Sequence, residues 1–270
     1  MRIDLHLHST ASDGTLAPDA LALAARDGGL DVIALTDHDT AAGLPQALSS
    51  AGSAIRVISG IEISSTHAGC DLHFLGYAID PAAPAIVEHA HAAIARRRER
   101  MRGMIRRLAD LGITVHFDEV LAAAGPDAAA LGRPHLARVL VDHGHAATIA
   151  DAFDRYLADG GPAFLPIQLL TPAEAIERIH AAGGTAVWAH PPADLLDREL
   201  PNFIDSGLDG LECFRPRSTP AEVRRLVEMS RTHGLLMTGG SDWHGPWNGA
   251  LGEFHVGHAQ LRAFLERIGL

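Results

Sequence analysis

A chain of 270 residues that is 47% hydrophobic can bury one sizeable core, and α/β barrels of this length are routinely single domains. The formal net charge of -11 argues against a general nucleic-acid coat, and all 22 basic residues are arginine, which excludes a P-loop lysine, a Schiff-base lysine and a carbamylated bridging lysine. Two cysteines, Cys70 and Cys213, make neither a disulfide framework nor a CxxC pair, so a reducing cytoplasm is the expected home.

The N-terminal stretch Met1–His6 is interrupted by Asp4 and does not read as a signal peptide, and no run of 18 apolar residues predicts a membrane span. Strands are expected at 3–8, 32–36, 56–64, 71–78, 185–189, 209–213 and 236–240. Helices are expected near 18–28, 41–51, 172–182, 219–233 and 258–268, with Pro18, Pro172 and Pro220 at first helical positions. Strand–helix alternation predicts an α/β fold with a parallel sheet, and seven strands suggest a barrel. From about 85 to 165 the pattern is helical: Pro84–Leu111, Phe117–Ala124, Arg133–His143 and Thr148–Leu157. We therefore expect a barrel formed by 1–85 and 165–270, with 86–164 as an inserted helical subdomain capping its catalytic face.

The chemistry begins at Asp4-Leu5-His6-Leu7-His8. Alternation along a strand should turn His6 and His8 to one face and Leu5 and Leu7 to the other. Alone, this pair is a weak signal. Asp13 follows in the next loop, Thr36-Asp37-His38 ends the second strand and Glu62 lies late in the third. His73 lies in the fourth strand, His190-Pro191 ends the fifth and Ser241-Asp242-Trp243-His244 ends the seventh. Imidazole and carboxylate suit zinc, manganese and iron, and the C-terminal strand ends of a parallel barrel converge on one face. Nine such residues at strand ends are poorly explained as helix caps or core histidines.

These motifs resemble those of the PHP family, the polymerase and histidinol phosphatase superfamily. The helical insertion after the fourth strand is similar to the subgroup containing nucleoside 3',5'-bisphosphate phosphatase and a 5'-to-3' exoribonuclease. The resemblance implies a distorted seven-stranded barrel and a trinuclear centre. It places His6, His8, Glu62 and Asp242 around one metal, Glu62, His73 and His190 around a second, and Asp13, His38 and His244 around a third. Two or three divalent ions are expected, with manganese first and zinc, iron, cobalt or magnesium as alternatives. Asp13, Glu62 and Asp242 would act through these ions.

The expected reaction is hydrolysis of a nucleotide phosphomonoester by a metal-bound hydroxide, best matched by the 3'-phosphate of a nucleoside 3',5'-bisphosphate. Arg133 and His135, in Gly132-Arg133-Pro134-His135, and Arg215 after the sixth strand are candidate substrate contacts. His135 could also protonate the leaving oxygen. The seven arginines between Arg96 and Arg107 read first as a solvated helix face with some packing arginines; steering of anionic substrate or RNA binding is the alternative, weakened as a base-stacking platform because no aromatics interleave with them. Trp188, Trp243 and Trp247 are expected to pack against the motifs, with base stacking as the alternative. The partner is a small phosphorylated molecule, with short RNA the rival substrate, and neither membrane nor obligate protein partner is expected. Histidinol phosphate fits less well with the bulky insertion, and a lysine-bridged amidohydrolase is excluded. A silent metal-binding interaction module is the alternative from another class, opposed by the complete ligand set.

Overall fold

The computed structural model describes residues 1–52, 55–125, 131–166 and 169–270. Among these residues, eight strands form one sheet curled into a nearly closed barrel. They are β1 (Arg2–Leu7), β2 (Val32–Leu35), β3 (Arg56–His67), β4 (Cys70–Tyr77), β5 (Thr185–Trp188), β6 (Gly210–Phe214), β7 (Leu236–Gly239) and the two-residue β8 (Val256–Gly257). The sheet order is β7-β6-β5-β4-β3-β2-β1-β8.

The gap between β7 and β1 is closed differently at its two ends. At one rim the segment after β7 pairs with β1, His8 N donating to Trp243 O (3.0 Å) and Trp243 N to His6 O (3.3 Å). At the other, β8 runs antiparallel to the start of β1, Ile3 opposite Val256.

The sheet is mixed, not parallel throughout. β4 is antiparallel to both neighbours, with Ser64 opposite His73 and Phe74 opposite Trp188. The reason is local. Ala68 (φ 49°) and Gly69 (φ 83°) turn β3 directly into β4, and a two-residue connection permits only an antiparallel partner. The missing helix between the third and fourth strands was the sequence signal for this reversal. It brings His73, early in β4, to the rim where the other strands end.

Expected helices form as α1 (Pro18–Asp27), α2 (Leu44–Ala51), α7 (Pro172–Ala181), α9 (Pro220–His233) and α10 (His258–Arg267). Thr171 and Thr219 cap α7 and α9 through reciprocal contacts with Glu174 and Glu222. A further helix, α8 (Ala193–Asp205), connects β5 to β6. Pro201 interrupts its pattern in the sequence, where no helix is expected, yet its apolar residues Leu195, Leu196, Leu200 and Phe203 are buried.

Between β4 and β5 lie α3 (Pro84–Asp110), α4 (Phe117–Ala124), α5 (Arg133–Asp142) and α6 (Ile149–Ala152), followed by a π-turn at Phe153–Leu157. Met104, Leu108, Val120, Leu136, Leu140 and Leu157 belong to a hydrophobic cluster of their own. The barrel has two others. One packs Leu7, Ile33, Phe74 and Trp188 beneath the surrounding helices, and one joins Ile3, Leu5, Leu75 and Tyr77 to Phe264 of α10. Leu5 and Leu7 thus enter different clusters rather than sharing a face, because the β1–β2 register shifts between Asp4 and Leu7. Among the described residues no helix is long and apolar enough to cross a membrane.

Closure depends on Gly240. A Cβ built there would lie 2.4 Å from His6 N and 2.4 Å from His6 Cβ. Gly240→Ala is expected to destabilise the fold by about 1–3 kcal/mol, seen as a lower urea midpoint. An unchanged midpoint would show that the β7–β1 approach can relax freely.

Candidate metal centre

All nine ligand-type residues named above are brought together at one barrel rim. Their focus is the carboxylate of Glu62, which has no solvent exposure. Its Oε1 lies 2.9 Å from His73 Nδ1 and 3.0 Å from His190 Nε2. Its Oε2 lies 3.2 Å from His6 Nε2, 3.1 Å from His8 Nε2 and 3.1 Å from His38 Nδ1. Asp242 Oδ1 is 3.4 Å from His6 Nε2 and 3.3 Å from His8 Nε2. Asp13 Oδ1 is 3.3 Å from His244 Nε2. His8 and His244 stack with ring centroids 4.0 Å apart. The nine thus form one connected cluster, not separate pairs.

The donor set fits divalent metal ions. Three groups each converge tightly enough to surround one ion: His8, Asp13, His38 and His244; His6, His8, Glu62 and Asp242; and His38, Glu62 and His73. Both His8 ring nitrogens, Asp13 Oδ1, His38 Nδ1 and His73 Nδ1 are buried without a partner in hydrogen-bond geometry. Buried polar atoms are rarely left so, and lone pairs converging without protons between them are what an ion needs. His190 reaches Glu62 but falls outside these three groups.

A second layer of carboxylates holds the first. Glu212 Oε1 sits 2.8 Å from His6 Nδ1, and Glu212 Oε2 accepts from His190 N at 2.8 Å. A carboxylate at Nδ1 fixes the proton there and turns the Nε2 lone pair towards the cluster. Asp37 accepts from Ser9 N (2.8 Å), Ser9 Oγ (2.7 Å) and Ser12 Oγ (2.6 Å), fixing the loop that delivers Asp13. Asp4 Oδ1 accepts from Ser241 N at 2.8 Å and tethers the segment carrying Asp242. Burial raises the Asp4 pKa to about 6, opposed by hydrogen bonds from Ser241. His190 and Asp242 adopt positive φ (31° and 53°), strain that the surrounding contacts must offset.

The imidazoles and carboxylates of the cluster shift one another's pKa values. Burial alone would depress the His244 pKa, but Asp13 and Asp242 raise it to about 10. His6 is likewise raised against burial by Glu212 and Glu62, and His190 by its hydrogen bond to Glu62. His38 falls to about 3, because burial outweighs Glu62 and Asp13. Burial favours the neutral acids, but the surrounding imidazoles hold Asp13, Glu62 and Asp242 well below the usual carboxylate range.

The cluster opens into a cavity of about 350 Å³. The barrel contributes Asp13, His38, Glu62, His73, His190, Asp242 and His244 to its lining. The chain between β4 and β5 contributes Arg97, Arg100, Gly132, Arg133, Pro134 and Phe153. Arg133 therefore reaches the cavity, its Nη1 held by Asp159 Oδ1 at 2.5 Å. His135 does not line it. Its Nδ1 accepts from Gly132 N (3.0 Å), and burial lowers its pKa to about 4, so it is neutral near pH 7 and holds no proton to donate as an imidazolium. Arg215 is also outside the lining. Trp188 and Trp243 are buried, whereas Trp247 is 46% exposed beside Arg138 (5.6 Å).

Arg97 and Arg100 are the packing arginines of the arginine-rich helix: both are buried and line the cavity, whereas Arg96 and Arg98 are exposed. Their signal was phase: on α3 they share the buried stripe of Ala93, Met104 and Leu108, unlike Arg96 and Arg98. Glu212 was also missed. A lone carboxylate within Gly-Leu-Glu-Cys-Phe, an otherwise apolar strand, was its signal.

Two outcomes follow for metal binding. Glu212→Gln should weaken affinity about 10–100-fold, measured by chelator competition; unchanged affinity would remove Glu212 from the centre. Neighbouring carboxylates raise the pKa values of His6, His190 and His244, the last to about 10, so metal must compete with protons at these nitrogens. Calorimetry in buffers of different ionisation enthalpy should therefore register proton release on loading and tighter binding as pH rises.

The sequence profile of the PHP domain matches residues 4–159. A 5'-3' exoribonuclease of Salmonella typhimurium is 38% identical over 251 residues, covering 90% of this chain and 85% of that protein. The 3',5'-nucleoside bisphosphate phosphatase of Chromobacterium violaceum is 33% identical over 265 residues, covering 96% and 91%. A crystal structure from Bifidobacterium adolescentis, provisionally named a metal-dependent phosphoesterase, superposes with a TM-score of 0.89 at 33% identity, covering 98% of this chain and 96% of that one. Centre, fold and relatives agree: this chain belongs to the PHP family and is a metal-dependent phosphoesterase, a hydrolase.

Proposed function

We propose that the protein hydrolyses the 3'-phosphate of a nucleoside 3',5'-bisphosphate. One observation carries this reading: a single cavity is lined both by the imidazole–carboxylate cluster and by three guanidiniums, Arg97, Arg100 and Arg133. Arg100 donates to Leu165 O (2.7 Å) and to Asp71 Oδ2 at the long distance of 3.4 Å. Burial, with Asp71 offsetting it in part and Arg133 and Arg97 adding to it, lowers the Arg100 pKa to about 10. Each of the three guanidiniums holds one carboxylate and also lines the cavity, and arginine forks with donors to spare suit phosphate.

The division of labour follows. His6, His8, Asp13, His38, Glu62, His73, His190, Asp242 and His244 would hold two or three divalent ions, manganese first. When bound, such ions make water nucleophilic near neutral pH and offset charge on the phosphoryl group. Asp13, Glu62 and Asp242 fix the position of that chemistry. Arg133, with Arg97 and Arg100, would grip the 5'-phosphate and hold the 3'-phosphorus at the cluster. Residues 86–164 would act as a cap on the barrel formed by 1–85 and 165–270, and the cytoplasm is the compartment that suits its chemistry.

The second reading is 5'-to-3' cleavage of short RNA, favoured by the identity to the Salmonella exoribonuclease. The two share a reacting bond. In each, water attacks phosphorus attached to O3' of a nucleoside that carries a 5'-phosphate, and a 5'-nucleotide leaves. They differ in whether that phosphorus bears another nucleoside. A cavity of about 350 Å³ suits one nucleotide.

The test is product release by manganese-loaded protein from adenosine 3',5'-bisphosphate, AMP and a short 5'-phosphorylated RNA. Preferential phosphate release from the bisphosphate is expected. Preferential degradation of the RNA would move the assignment to exonuclease, and hydrolysis of AMP as fast as the bisphosphate would sink the two-phosphate reading. Asp13→Ala and Glu62→Ala should each abolish turnover while the far-ultraviolet circular dichroism stays native.

A further inference from the structure

Behind the cavity wall lies a buried carboxylate with four donors. Asp39 has no exposure and a positive φ of 54°. Its Oδ1 accepts from Ser64 N and from His89 Nε2, both at 2.8 Å. Its Oδ2 accepts from Arg97 Nε at 2.7 Å and also from Arg97 Nη2. Arg97 Nη2 in turn reaches Ser64 Oγ at 2.6 Å. Asp39 N donates to Glu62 O at 2.8 Å. The end of β2, the strand β3 and the helix α3 therefore meet on one side chain.

The geometry matters for Arg97. A guanidinium is planar, and the edge formed by Nε and Nη2 is taken by Asp39. Arg97 nevertheless lines the cavity, so its Nη1 donors remain for whatever enters. Asp39 also follows His38 directly in the chain. The backbone that carries a cluster residue and the carboxylate that grips Arg97 are thus one residue apart, which leaves little slack between the two ends of the cavity.

We propose that Asp39 is a positioning residue that fixes Arg97 as a receptor for the substrate's second phosphate, and so sets the phosphate-to-phosphate span the site accepts. The inference rests on the two-phosphate reading above. A carboxylate that merely joined helix to barrel would affect stability and all substrates alike. One that sets a span affects the substrate with two phosphates most.

The test uses the full manganese-loaded chain and two substrates, a nucleoside 3',5'-bisphosphate and the matching nucleoside 3'-monophosphate. Asp39→Asn should raise KM for the bisphosphate about tenfold or more, with a several-fold smaller effect on the monophosphate and manganese content equal to wild type. Combining it with Arg97→Lys should add little to the worse single variant, because both remove the same held guanidinium. Asp39→Glu keeps the charge but moves it by one methylene, and it should show the same selective rise in KM even if Asp39→Asn does not fold. Equal losses on both substrates, additive losses in the double variant, or lost manganese would overturn the assignment of Asp39 while leaving the substrate reading intact. A wild-type enzyme indifferent to the second phosphate would overturn both.

Discussion

One buried carboxylate organises this molecule. Glu62 carries a charge with no access to solvent and has five imidazoles within 3.2 Å. Burying an ionised group uncompensated costs several kcal/mol or more, so the barrel folds around Glu62 only by bringing partners from almost every strand. β1 sends His6 and His8, the end of β2 sends His38, β4 sends His73 and the end of β5 sends His190. Closure at β7 then sets Asp242 beside two of them. The fold and the centre are in this sense one structure. The arrangement that compensates the Glu62 charge is the arrangement that presents lone pairs to metal.

Compensation by protons and compensation by metal compete. His244, raised to about 10 between Asp13 and Asp242, is the plainest case. Imidazolium suits the carboxylates around it, whereas a metal ion needs neutral imidazole. The second layer resolves part of this conflict in advance. Glu212 selects the His6 tautomer, and its other oxygen positions the His190 backbone, so two ligand-type residues on different strands are set by one side chain.

Much of this was legible from residues alone, and what escaped did so for identifiable reasons. Local pattern located the strands, because their apolar runs are short and bounded by glycine and proline. The ligand-type residues were legible because imidazole and carboxylate fall at strand ends, where an apolar-core explanation fails. The reversal of β4 was not read, since a strand's direction is a property of its connection and the Ala68–Gly69 turn is only two residues. α8 was hidden by Pro201, tolerated there because tertiary packing of Leu200 and Phe203 outweighs propensity. The roles of Glu212, Asp4 and Asp39 were not legible: each works through contacts distant in sequence, and none has a spacing rule. Arg97 and Arg100 were legible in principle, by helical phase, but the surrounding arginines masked them.

The reversal of β4 has a mechanical consequence. It leaves the chain at Tyr77 on the rim opposite the centre, beside Thr185 at the start of β5. α3 must then climb back, and its 27 residues span about 40 Å. Its early turns bury Ile86, His89 and Ala93, Arg97 meets Asp39, and its later turns found the insertion's own core with Met104 and Leu108. The helix is therefore a strut with a fixed pitch. One residue added between Pro84 and Arg97 would rotate everything beyond it by about 100° and swing the guanidiniums out of the cavity. The pitch of this one helix thus ties the place of Arg97 and Arg100 in the cavity to the number of residues that separate them from β4.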